Sequence, residues 1–275
     1  MTKSKNPHSS PRAKAYSTSL RSLKDTHPAI AHYLTIAHKK REKRLHQYGS
    51  KIRFDGLEEL LTHLEELNGV YRKSKKLCGI AFLIYRVHAD FCTAIEASLS
   101  GYFGVASDAM RDVMEIEFLL RDFYFEPAHI QEWLGCDENE RNNRFRPGIL
   151  RNRHAAREGI LPQDMSEAKD YRAHSIFLHV TPFRSPFGGP GLMPPLIPFG
   201  EDACFWDMFE HGRRVLFECH RLRRKLASYI KSPWGLERGL KKFRNGWRGT
   251  QEMQQVVFVL LDVIKEHDSD TNELI

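Results

Sequence analysis

The chain has 275 residues, with 42 Lys and Arg against 35 Asp and Glu, a formal charge of +7 and five cysteines. That length admits one large domain or two small ones, with a real hydrophobic core. An odd number of cysteines (Cys78, Cys92, Cys136, Cys204, Cys219) without a Cys-x-x-Cys pair argues against a disulfide framework and for a reduced, cytoplasmic compartment. The first residues lack an apolar core of the kind a secretory leader needs, and the densest apolar run, Leu77 to Tyr85, is too short to span a bilayer. No membrane partner is therefore expected.

Residues 1–27, rich in Ser, Lys, Arg, Pro and Asn, are expected to form a disordered basic arm. Pro28 suits a first helical turn, and a helix is expected from there to about His46, ending in the basic run Lys39 to Arg44. Leu57, Leu60, Leu61, Leu64 and Leu67 follow the three-four spacing of an amphipathic helix. The stripe Leu77, Ile80, Ala81, Ile84, Val87, Phe91, Ile95 and Leu99 extends a second helix over residues 70–98, and Gly101 breaks it. A third runs to Phe125, ahead of Pro127. Ala128 to Leu134 reads as a short helix, residues 135–143 as a polar loop, and Pro147 to Glu158 as another helix. Met165 to Leu178 is expected to be helical, with Ser166 as its N-cap.

The segment 181–200 holds six prolines and four glycines and reads as a long loop. A helix is expected over Asp202 to Ile230, a basic aromatic stretch over Trp234 to Gly249, and a final helix over Gln251 to Glu266. The fold class predicted is all-α: an irregular helical bundle forming a single domain over residues 28–266, with the arm before it, the loop 181–200 inside it and a polar tail over 267–275.

Charge is unevenly placed. Residues 1–50 carry a balance of +9 and residues 211–250 one of +10, so the rest of the chain is net acidic. Clustered cations attract phosphate backbones. The block Lys241, Lys242, Phe243, Arg244, Trp247 and Arg248 mixes cations with rings able to stack on bases, which makes these six the expected nucleic-acid contacts. The equally simple reading is a solvated helix face whose rings are buried.

Two segments put ionisable groups where core is expected. Asp108, Arg111 and Glu115 share one face of the apolar helix 98–125, with Asp122 farther along nearly the same line. They are expected to be mostly buried and hydrogen-bonded, either as an ion-pair network that fixes helix packing or as a ligand-clamping Arg with an orienting Glu. The second segment is Tyr171 to His179. His174 and His179 stand five apart, about 140° around a helix, so they do not share a metal, and the expectation is no metal and no cofactor. Arg172 and His179, seven apart, do share a face.

The pairing of Ala-x4-Arg-x3-Glu (Ala106, Arg111, Glu115) with Tyr-x3-Ser-x3-His (Tyr171, Ser175, His179) resembles a group of uncharacterised bacterial all-helical proteins. More distantly, Arg172 and His179 with six residues between them resemble the Arg–His motif of HEPN-class helical nucleases and toxins, although the position after the Arg, usually polar there, is Ala173. That resemblance implies metal-independent RNA cleavage in a defence or toxin role, carried by Arg172 and His179, usually across a homodimer. Two functional expectations result. The first is a binding or regulatory protein that contacts an acidic partner such as nucleic acid. The alternative is a HEPN-like ribonuclease with Arg172, His179, Arg111 and Glu115 as its catalytic residues.

Overall fold

A computed structural model describes residues 20–48, 52–73, 78–178 and 201–226. The described residues are helical, without strands, as an all-α bundle requires. The helices are α1 (Pro28–Tyr48), α2 (Ile52–Arg72), α3 (Cys78–Ser100), α4 (Phe103–Phe125), α5 (Ala128–Gly135), α6 (Glu138–Phe145), α7 (Pro147–Glu158), α8 (Ser166–Leu178) and α9 (Glu201–Lys225), with a 3-10 turn at Pro162–Asp164. The chain divides into two compact units.

The first unit is built on α1 and the turn Leu99–Gly101. Arg44 is buried there and donates to the Leu99 carbonyl at 3.1 Å. Residues 20–26, expected to belong to the arm, are helical.

The second unit holds the core. α4 is its hub and packs on α7, α8 and α9, while α9 also packs on α2. The C-terminal half of α4 is buried on all sides over Ile116–Leu120, as expected of a central helix. Its first turns are different: Val105 and Asp108 are exposed. α8 runs antiparallel to α4, because Glu167 pairs with Arg121, Tyr171 with Glu115 and His174 with Ser107. α9 reaches the opposite end of α4, where the Lys225 ammonium donates to the Phe125 carbonyl at 3.2 Å.

α2 is longer than its leucine repeat and buries Leu57, Leu60, Leu64, Leu67 and Tyr71. α3 begins at Cys78, later than the expected start at residue 70. It is, by length and composition alone, apolar enough to cross a membrane, and its Ile84, Val87 and Phe91 face is packed into the core. Its end is marked by Gly101 at φ 85°, which lets the Tyr102 N–H close back on the Ala97 carbonyl at 2.7 Å.

The polar stretch 135–143 is a helix over most of its length instead of the expected loop. Asp137 caps α6 by accepting from the Glu140 N–H at 2.8 Å, and acidic residues fill the first turn. Apolar periodicity gives no warning of such a helix, because only Phe145 is buried in it.

Candidate metal centre

α8 and α9 each carry Asp-x3-His: Asp170 with His174, and Asp207 with His211. An i, i+4 pair lies on one helix face, so each helix presents one carboxylate and one imidazole together. The two faces meet. One ligand atom from each of the four residues lies within 4.8 Å of all the others.

The tightest part is a triangle. His174 Nε2 lies 3.3 Å from Asp207 Oδ1, His211 Nε2 lies 3.2 Å from the same oxygen, and the two Nε2 atoms are 3.3 Å apart. Bonds of about 2.0–2.1 Å in a tetrahedral zinc site put ligand atoms roughly 3.3 Å apart. Asp170 stands slightly back, at 3.8 Å from His174 Nε2 and 3.9 Å from His211 Nε2.

The surroundings hold these groups in place. His174 Nδ1 donates to the Ser107 carbonyl at 3.1 Å and lies 2.7 Å from the Ser107 hydroxyl, so Nε2 faces the cluster. Asp170 accepts from Arg214 at 2.8 Å, and Arg214 donates also to Glu210 at 2.9 Å. His174, Asp207 and His211 are buried; the Asp170 side chain keeps 16 % of its surface. Burial pulls the His174 pKa down, but the Asp207 carboxylate, aided by Asp170, overrides it and raises the value to about 9. Burial opposes ionisation of Asp207, yet the two imidazoles hold it well below the usual carboxylate range. A proton on His174 therefore balances the two carboxylates together with Arg214. A divalent cation in place of that proton would balance the two carboxylates by itself and leave Arg214 to Glu210.

Two neighbouring networks are structural in chemistry. Asp122, with no exposed surface, accepts from His129 at 2.6 Å, Arg153 at 2.9 Å and Arg157 at 3.1 Å, tying α4 to α5 and α7. His63 on α2 and His220 on α9 are buried with their Nε2 atoms 2.8 Å apart. Burial, with Arg223 nearby, lowers them to about 4 and about 3, so both are neutral and one donates to the other.

The residues singled out in the sequence fall in several places. Asp108 is exposed and Arg111 and Glu115 are half-buried, which corrects the expectation that all three are mostly buried: they lie on the side of α4 that its neighbours leave partly open. Arg111 and Glu115 meet at Tyr171, whose hydroxyl accepts from Arg111 and donates to Glu115, both at 2.8 Å. The Arg172 side chain and His179 lie outside the described residues, as do Lys241, Lys242, Phe243, Arg244, Trp247 and Arg248.

Asp170, Asp207 and His211 were not singled out in the sequence. Their signal in the sequence is the repeated Asp-x3-His, which the spacing of His174 to His179 does not reveal. Comparison with protein families, with curated proteins and with solved structures returns no match.

Proposed function

We propose that this chain is a metal-binding helical protein in which a zinc-class divalent cation joins α8 to α9. The observation that carries this reading is the convergence of four donor atoms from two Asp-x3-His helices within 4.8 Å. Two neutral imidazoles and two carboxylates give an N2O2 set that balances a divalent charge and suits zinc more than calcium or magnesium, which prefer oxygen alone. Ser107 supplies the outer contact that orients one imidazole.

Four protein ligands with little exposed surface fit a closed, structural site, since a catalytic zinc keeps a position open for water or substrate. The role we assign is to fasten the helices on either side of the segment 179–200. Metal content tests this. Protein prepared in zinc-supplemented medium and gel-filtered should hold about one zinc per chain, and His211→Ala should hold almost none. Chelation should lower the melting temperature of the wild type but not of His211→Ala. Wild-type protein free of tightly held metal, with a melting temperature indifferent to chelator, would overturn the reading.

A second reading rests on charge. α1 exposes Lys39, Lys40 and Lys43 with Glu42 as the acid among them, within a first fifty residues that carry +9. It supports contact with an acidic partner such as nucleic acid, and retention on RNA or DNA should then fall steeply with salt. No retention at low salt would refute it.

A further inference from the structure

Arg151 is a half-buried cation that forms no ion pair or hydrogen bond with any described residue; it stacks on the Tyr171 ring, its guanidinium carbon 4.4 Å from the centroid. Arg111 stacks on the same ring at 4.9 Å. Two guanidiniums on three helices' worth of scaffold (α4, α7 and α8) thus converge on one phenol. The carboxylate that faces both is Glu115, and its Oε1 is taken up by the Tyr171 hydroxyl. Asp108 adds a charge near Arg111 alone. Arg111 Nε is buried without a hydrogen-bond partner, 3.6 Å from Glu115. The cluster therefore holds donors that make no hydrogen bond: the whole fork of Arg151 and, beneath the surface beside Glu115, the Nε of Arg111. It is also reachable, since the Arg111 side chain keeps 25 % of its surface and Glu115 keeps 34 %.

We propose that Arg151 and Arg111, held on Tyr171, form a binding site for a phosphate monoester. Planar guanidinium forks present paired N–H groups that match phosphate oxygens, and stacking fixes their planes before the ligand arrives. A phosphate dianion brings more charge than the Glu115 carboxylate and has oxygens enough for both forks. The site does not involve the four metal-ligand residues and does not depend on the metal reading.

A phosphate monoester can come from two sources: a small nucleotide or the 5′ end of an RNA. Calorimetric titration of the full chain separates them, using AMP against adenosine, and a short 5′-phosphorylated RNA against its 5′-hydroxyl twin. The site predicts that AMP binds where adenosine does not, and that Arg151→Met weakens AMP by about tenfold or more, the loss expected when a charge-assisted contact is removed. Arg151→Lys, which keeps the charge but not the fork, should fall between. A preference for the phosphorylated RNA that Arg151→Met abolishes assigns the site to RNA ends; equal binding of the two RNAs, with AMP bound, assigns it to small nucleotides. Should Arg151→Met fail to fold, as read by circular dichroism, Arg151→Lys decides alone. No binding of AMP or of the phosphorylated end, or AMP affinity unchanged in a folded Arg151 variant, overturns the proposal.

Discussion

Asp122→Ala is expected to destabilise the second unit substantially. The carboxylate has no exposed surface and accepts from three side chains on two other elements, His129, Arg153 and Arg157. Burial would raise its pKa, but the His129 hydrogen bond and Arg153 overcome that and hold it below the ordinary carboxylate value, so it is ionised at neutral pH. Removing one partner of a buried ion pair costs about 3–5 kcal/mol, because the remaining charges stay desolvated. Here the stranded side chains keep 27 % (Arg153) and 29 % (Arg157) of their surface and can regain water, which places the cost near the lower end, about 3 kcal/mol. At roughly 2–4 °C per kcal/mol for a domain of this size, the melting temperature should fall by about 6–12 °C. Differential scanning calorimetry at pH 7 reads this directly, and Asp122→Asn, which keeps an acceptor oxygen and the volume, should lose less. A fall of under about 2 °C in Asp122→Ala would show that Asp122 is not the hub the geometry makes it.

Acidification should weaken the fold in two steps. His63, His154 and His220 are held neutral mainly by burial, with pKa values near 4, 4 and 3, against an ordinary 6.5. The unfolded chain binds protons that the native one refuses, so their contribution is complete above about pH 6.5 and declines as pH falls toward 4 and 3; Asp122, its proton affinity likewise depressed but from a lower ordinary value, keeps its contribution until pH drops below about 4. Burial raises Glu117 and Asp90 to about 8, and these work in the opposite direction over the same range, so the test is the difference between wild type and His63→Gln. Chemical denaturation at stepped pH should show the loss of stability between about pH 6.5 and 4 reduced in His63→Gln, and an identical pH dependence in the two proteins would contradict the buried neutral pair. Arg111→Ala should cost only about 1 kcal/mol, since its one direct hydrogen bond is to Tyr171 and the Arg111 and Glu115 side chains keep 25 % and 34 % of their surface. A loss above roughly 3 kcal/mol would mean the side chain is buried more completely than its 25 % exposure implies.

Much of the helical framework can be read from spacing. Leu57, Leu60, Leu64 and Leu67 are all buried in α2, and the stripe from Ile80 to Phe91 is the buried face of α3. What spacing misses is local polar chemistry: α6 has one buried side chain and owes its start to the Asp137 cap. The site was legible only in halves. Each Asp-x3-His is visible as a helix-face pair, but such pairs are common surface features, and the approach of α8 to α9 comes from tertiary packing around α4. Asp108, Arg111 and Glu115 read as core charges because α4 is apolar overall; the uneven cover along its length, complete at Ile116–Leu120 and partial near Asp108, does not show in composition.

The most direct test of the metal reading is crystallographic. Crystals of zinc-loaded protein, measured on both sides of the zinc absorption edge, should give an anomalous peak about 2.0–2.1 Å from Nε2 of His174, Nε2 of His211 and a carboxylate oxygen of Asp207, with Asp170 drawn in as fourth ligand. No peak between α8 and α9, with density confined to exposed histidines such as His32, would contradict it and leave Asp170, His174, Asp207 and His211 as a buried proton-balanced ion network.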